Sequence, residues 1–343
     1  MWAMVVKEFR QLRRDRRTLA MMVMVPLLLL VVFGYAASFD VDEIPTIVVG
    51  PQAQGVASRL PELFDVIETL PGGDRGEAVA ALRDGEAVAA IVAKTTPEVL
   101  LDGGQLFAAR AAVTALARMP QAPEPTVLFN PELSTPVVMI PAIIGLILVF
   151  VGTVATSLGV VRERQAGTLE QLAVMPFRPR DVFVGKILPY LLVAAIDLGI
   201  ILPAAMLLFD VPFRGSVLVF GLGALVFLTV TLGVGVLIST VSQNQGQAIQ
   251  LAIMTLLPQV LLSGMMFPLD SMAEGVRWIA YGLPLTYFVQ ISRGVMVRGA
   301  PLEAVALPIL LLAALGLAVF GLAALRFRRD LAPAGRVTEE TAS

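Results

Sequence analysis

The sequence predicts an α-helical polytopic membrane protein: six transmembrane helices with an inserted soluble α/β extracytoplasmic domain. Three observations carry that prediction. Hydrophobic residues make up 57% of the 343-residue chain and charged residues 15%, whereas soluble domains run at about 45–50% and about 25%. No charged residue occurs from Gly215 to Leu269, a run of 55 residues, and a spanning helix needs only about 20 apolar residues. Residues 39–136, by contrast, alternate short apolar runs with Gly, Pro and charge. The first two observations exclude a cytosolic enzyme, a nucleic-acid binder and a coiled coil. The chain has no cysteine and no histidine. Disulfides, thiolate catalysis, iron–sulfur chemistry, His-based triads and His-ligated metal sites are therefore excluded as well.

The elements follow in chain order. Residues 1–18 put Trp2, Val5, Val6, Phe9 and Leu12 at helical spacing opposite Lys7, Arg10, Arg13, Arg14 and Arg17, an amphipathic helix for the membrane interface. Span one is expected at 19–38. It ends on Ala36-Ala37-Ser38, which resembles a secretory cleavage site, but its length exceeds the roughly 7–15 residues of a signal peptide's apolar region. It reads as retained, and cleavage would leave the downstream topology unchanged.

In the 39–136 segment the pattern predicts strands at Ile44–Val49, Asp65–Leu70, Ala87–Val92 and Val99–Leu101, with helices at Arg75–Arg83 and Gln105–Arg118. Five prolines between Pro120 and Pro136 suit an extended linker back to the membrane. The segment carries 14 acids against 6 bases, which solubility explains and attraction of cationic solutes also fits. Span two is expected at 137–160, span three at 187–209 and span six at 304–325. The long uncharged run must hold two more, at 215–238 and 247–267, because one helix of that length would overshoot the hydrocarbon core. Its natural break is the polar patch Ser239–Gln245.

Orientation follows from Lys and Arg, which favour the cytoplasmic loops. Segments 1–18, 161–186, 239–247 and 326–343 carry 15 of the 25 basic residues, and six of the other ten lie in the 39–136 segment. Long loops cross a membrane largely regardless of charge, so both termini are expected in the cytoplasm.

No energy-converting motif is visible. A P-loop needs Gly, four residues, then Gly-Lys-Ser/Thr. The pair Gly185-Lys186 is preceded five residues earlier by Arg180 and followed by Ile187, so both ends fail. Four other segments attract interest. The loop after span two runs through Arg162, Glu163 and Arg164 to Gly167, then Thr168-Leu169-Glu170-Gln171-Leu172. This reads as a short capped helix ended by Pro176, suited either to the grip of a soluble partner or to an ordinary topology-holding inner loop. Asp197 lies midway along span three, a site for ion coupling or substrate contact or else a helix-to-helix hydrogen bond. Gln250 and Gln259 in span five carry the same ambiguity. Residues 263–300 are too broken to span and too apolar for a free loop. They fit a short helix dipping into the outer leaflet, with Trp278, Tyr281 and Tyr287 at the interface.

Five segments together resemble the permease subunit of type-2 ABC exporters, over essentially the whole chain. They are Asn130-Pro131-Glu132-Leu133, Arg162–Pro179 (RERQAGTLEQLAVMPFRP), Gly185–Pro189, Ser263–Met272 (SGMMFPLDSM) and Leu283–Gly299 (LPLTYFVQISRGVMVRG). The resemblance implies that residues 1–18 are a connecting helix. It makes Arg162, Glu163, Arg164, Gly167, Thr168, Leu169, Glu170 and Gln171 the coupling segment seated on an ATPase. It assigns Phe267, Pro268, Trp278, Tyr281, Pro284 and Tyr287 to re-entrant helices that cap the exit, while Asp197, Gln250 and Gln259 are candidates for the substrate path from their position within spans.

It further implies two soluble ABC ATPase subunits holding ATP and Mg, and a second copy of this chain or a related permease. No cofactor or metal in this chain, no nucleic acid, lipid contact and a bacterial cytoplasmic (inner) membrane location complete the expectation. Asp197 departs from it, standing where an uncharged polar residue such as Gln is expected. The rival readings are an ion-coupled secondary transporter using Asp197, which internal repeats would favour and which shows none here, and a membrane-anchored ligand-binding or signalling protein.

Overall fold

The computed structural model describes residues 41, 43–119, 122–166 and 179–331, with 179–186, 324 and 327–331 described as helix backbone alone. The expected helix at 1–18, span one, the Gly167–Gln171 segment and the tail from 332 onward lie outside these residues.

The N-terminal part is a five-stranded sheet with helices on both faces. In chain order it holds β1 (Ile44–Val49), α1 (Ala53–Ala57), β2 (Phe64–Leu70), α2 (Arg75–Asp84), β3 (Ala89–Val92), β4 (Glu98–Asp102), α3 (Leu106–Ala117) and β5 (Thr126–Leu128). The strand order is β2-β1-β3-β4-β5, parallel except for the β3–β4 pair. Period-2 alternation divides the core. Ile44, Val48, Ala89, Ile91, Val99 and Leu101 pack with Ala112 and Leu116 of α3. Ile47, Val49, Ala90, Val92 and Leu100 face Ala78, Ala81 and Leu82 of α2. Helix α2 starts where Asp74 accepts the Gly76 and Glu77 N–H groups at 2.7 and 3.0 Å, and stops at Gly85, whose φ of 82° is left-handed.

Two elements differ from the sequence expectation. The five-residue α1 is too short for a periodic signal. Strand β5 forms inside the proline-rich stretch, where three consecutive non-proline residues pair with β4 at the sheet edge and no ladder N–H is lost.

The C-terminal part is helical: α4 (Thr135–Gln165), α5 (Pro179–Phe209), α6 (Val217–Val241), α7 (Gln245–Leu262), α8 (Glu274–Tyr281), α9 (Pro284–Ser292), a π-helical turn (Arg293–Arg298) and α10 (Leu302–Leu331). Among the described residues four helices are long and apolar enough to cross a membrane: Thr135–Gln165, Ile187–Phe209, Val217–Val241 and Leu302–Ala323. The break expected at Ser239–Gln245 falls at residues 242–244, where Asn244 caps α7 by accepting the Gln247 N–H at 2.9 Å. The helix expected to reach residue 267 stops at Leu262. Gly264 turns the chain with φ 79°, and Arg293 takes up the Gly264 and Met265 carbonyls.

The helical core is centred on Phe227 of α6 and Phe288 of α9, whose rings stack 4.2 Å apart. Helices α4 and α6 approach closely. A Cβ on Gly235 would stand 2.8 Å from the main-chain oxygen of Thr153, and one on Gly152 would stand 2.9 Å from Thr231 Oγ1.

Candidate functional site

Three places in the structure concern function: the base of the loop after α4, the hairpin of α8 and α9, and the junction between sheet and helices.

The last turn of α4 carries Arg162, Glu163 and Arg164. Arg164 donates Nη1 to the Ser239 and Ser242 carbonyls at 2.9 and 3.1 Å, which places a cation on the free C-terminal carbonyls of α6. Arg162 Nε donates to Gln245 Oε1 at 3.2 Å, and Gln245 Nε2 donates to Gln165 Oε1 at 3.1 Å. The base of the loop is thereby fastened to the α6–α7 turn by side chains of α4 and α7 and by main-chain carbonyls at the end of α6. Gly167, Thr168, Leu169, Glu170 and Gln171 lie outside the described residues.

Segment 263–300 folds back on itself. Thr286 Oγ1 donates to the Ala280 carbonyl at 2.7 Å and Tyr287 Oη to the Tyr281 carbonyl at 2.6 Å, so α9 caps the C-terminus of α8. Phe267 is buried with Leu261, Leu262, Met272 and Ala280, and Pro284 is buried in the first turn of α9. Pro268 is half-buried, while Trp278 is 76% exposed with Tyr281 edge-on to it. Gln259 joins this group. Its Oε1 accepts the Leu285 N–H at 3.3 Å and its Nε2 donates to the Thr255 carbonyl at 3.4 Å, so both ends of its amide are engaged inside the protein.

Asp197 and Gln250 are not brought to that group. Both are half-buried, and neither hydrogen-bonds to Gln259 or to the hairpin. Asp197 lies on α5, whose neighbouring face exposes Leu192, Val193, Ile196 and Ile200.

The junction rests on residues that the sequence did not single out as a site. Arg298 Nη1 stands 3.4 Å from Asp102 Oδ2, a pair with side chains 13% and 0% exposed, while Asp102 Oδ1 accepts the Gly104 N–H at 2.8 Å. Burial pushes the Asp102 carboxyl above its ordinary value, against the pull of Arg298. Arg293 donates Nε, Nη1 and Nη2 to the Val138, Gly264 and Met265 carbonyls, each at 3.0 Å. Its burial, with the nearby Arg298 charge, lowers its pKa to about 10, so it stays a cation at neutral pH.

Arg214 donates Nη1 to the Phe129 and Val297 carbonyls at 2.6 and 2.8 Å. Asn130 accepts the Ser134 N–H at 3.0 Å and donates to the Gly103 and Ser134 carbonyls. It sits between two left-handed residues, Phe129 and Leu133. Asn130 and Arg293 do lie in the segments that carry the family resemblance. A further signal for Arg293 was available: an arginine amid apolar residues must find carbonyls or a counter-ion.

Between sheet and hairpin lies an open cleft of about 690 Å³. Asp84, Gly85 and Gln105 line it from one side, and Ser263, Arg277, Arg293 and Arg298 from the other.

Comparison with known proteins adds the family. The profile described as "ABC-2 family transporter protein" matches residues 16–325. The chain is 28% identical to the probable multidrug ABC transporter permease YbhS of Escherichia coli K12, over 96% of this chain and 97% of that one. It is 26% identical to the probable multidrug ABC transporter permease YbhR of the same organism, over 89% and 92%. It is 33% identical to the inner membrane transport permease YhhJ, also from Escherichia coli K12, over 59% of this chain and 54% of that one. No solved structure matches.

Proposed function

This chain belongs to the ABC-2 family of transporter proteins, and from that premise we propose that it is the membrane-spanning permease subunit of an ATP-driven exporter. It moves a drug-like, lipid-like or other amphipathic substrate out of the cytoplasm or the inner leaflet. ATP and magnesium are bound and the ATP hydrolysed by a separate soluble subunit, present in two copies beside a second copy of this chain or a related permease. The protein sits in a bacterial inner membrane with six spans, both termini in the cytoplasm and the sheet outside. The multidrug names of two relatives similar over most of their length support the substrate class.

The geometric observation that carries the reading is the fastening of α4 to the α6–α7 turn by Arg162, Arg164, Gln165 and Gln245. Residues 167–171 follow that point directly. A displacement applied there by an ATPase reaches α4, α6 and α7 together, which is how a lever biases helices with two packing arrangements.

Gentle purification from the native host, with stoichiometry by mass spectrometry, tests the reading. One P-loop ATPase per permease chain is expected. A preparation that transports without any ATPase would overturn it and turn attention to Asp197 and ion coupling. Gly167→Pro should abolish export at normal expression.

A further inference from the structure

The cleft between sheet and hairpin holds an electrostatic asymmetry that the fold does not use up. Its inner wall is cationic. Arg293 bonds to three main-chain carbonyls, and Arg277 Nη2 bonds to the Asp270 and Met272 carbonyls at 2.6 and 3.4 Å. Among the described residues neither has a carboxylate within ion-pair distance, whereas Arg298 has Asp102. Three carboxylates also line the cleft, and among the described residues none of them forms an ion pair with Arg277, Arg293 or Arg298. Glu43 and Asp270 are exposed, and Asp84 is held by Arg83 at 2.9 Å.

Three buried polar atoms on this wall lack a hydrogen-bond partner: Ser263 Oγ, Arg277 Nε and Arg298 Nε. All three can donate, and all three residues line the cleft. Ser263 is fully buried. Of the four unpartnered buried side-chain atoms among the described residues, three belong to residues that line this cleft. Beside the cationic wall the lining turns apolar, with Pro268, Leu269, Val289, Val305 and Pro308. The volume of about 690 Å³ lies in the range of pockets that enclose a small amphiphile.

We propose that this cleft is a binding site for an acidic-headed amphiphile, with Arg277, Arg298 and Ser263 donating to a carboxylate or phosphate group and the apolar wall taking its chain. The head supplies the acceptors that the wall lacks, and its charge answers Arg277 and the neighbouring Arg293, which otherwise have only neutral carbonyls. The site stands whether or not an ATPase drives transport, because every residue in it belongs to this chain. Two sources share the chemistry, a membrane phospholipid and a free amphiphile in transit.

The test uses the full chain in nanodiscs of zwitterionic phosphatidylcholine. Trp278 adjoins Arg277, and the other tryptophan is Trp2, so a Trp2→Phe background isolates the reporter. Dansyl-undecanoate should quench Trp278 saturably, and its uncharged methyl ester should not. Arg277→Gln should weaken binding roughly tenfold, the loss expected for one charged hydrogen bond, and Ser263→Ala by less. Both variants must retain the parent's elution and melting profile. Phospholipid extracted from the detergent-purified chain separates the sources. An acidic lipid at one per chain, lost in Arg277→Gln, identifies the membrane as the source, and its absence with probe binding intact identifies a free amphiphile. Equal quenching by acid and ester, or acid binding unchanged in Arg277→Gln, overturns the proposal.

Discussion

Arg164 donates to the carbonyl of Ser239, 75 residues further along the chain, at 2.9 Å. One guanidinium therefore closes the end of α6 and fixes the end of α4. Arg164→Ala should cost roughly 1–3 kcal/mol of stability through the lost charged hydrogen bonds. In proteoliposomes with the ATPase partner it should lower substrate moved per ATP hydrolysed. Arg164→Lys should recover only part of that ratio, because an ammonium lacks the guanidinium fork. An unchanged ratio in Arg164→Ala would remove this contact from the coupling route.

The Asp102 carboxyl, lifted above its ordinary value of 3.8 by burial, fixes the sign of a pH effect. In the window above 3.8 the folded state binds the proton more tightly than the unfolded chain. Its contribution to stability is therefore complete below the unfolded value and is lost as pH rises through the folded one. Melting temperatures between about pH 4 and 8 should show this fall, and Asp102→Asn should flatten it. A slope identical in the two proteins would contradict the assignment.

Arg293 serves three carbonyls from α4 and the turn after α7. Arg293→Met keeps much of the volume but leaves those groups unpaired. A loss of roughly 3 kcal/mol or more is expected, at 1–3 kcal/mol for each unsatisfied buried group. Arg293→Lys should recover only part, since one point charge cannot reach all three. Thermal unfolding in detergent measures both.

Gly235 lies against main chain of α4, 2.8 Å from Thr153 oxygen to its would-be Cβ. Gly235→Val forces α4 and α6 apart with no rotamer to relieve it, at a cost of roughly 1–3 kcal/mol. Gly221 has open space at its Cβ position, and Gly221→Ala should leave melting unchanged or slightly raised.

Asp197 is half-buried on α5, apart from the α8–α9 hairpin and its Gln259 contact. Asp197→Asn should leave ATP-driven export and its pH profile unaltered. Loss of export together with loss of its dependence on a proton gradient would favour the ion-coupled reading instead.

Much of the framework was legible in the residues. The run Ile44–Val49 forms its strand at those bounds, since β-branched residues broken only by Pro45 and followed by a Gly leave little choice. The polar patch after span four marked the α6–α7 turn because Ser and Asn cap rather than extend helices, and Asn244 does so here. Other features depend on long-range pairing and leave no local trace. Gln259 reads as a polar residue in a span, yet both its amide ends meet protein, one of them on α9. The end of α7 at Leu262 depends on Ser263-Gly264 and on Arg293, 29 residues past Gly264. The cleft combines residues from both parts of the chain, so no window of sequence contains it.

The separation of 196 residues between Asp102 and Arg298 also has a consequence during synthesis. The ribosome has delivered every strand of the sheet by Leu128, well before the π-helical turn emerges. Asp102 must wait without its cation while α4 to α9 are made and placed. At roughly 5–20 residues per second that interval lasts on the order of ten seconds or more. Until then the hydrogen bond from the Gly104 N–H is what the sheet itself offers that carboxylate.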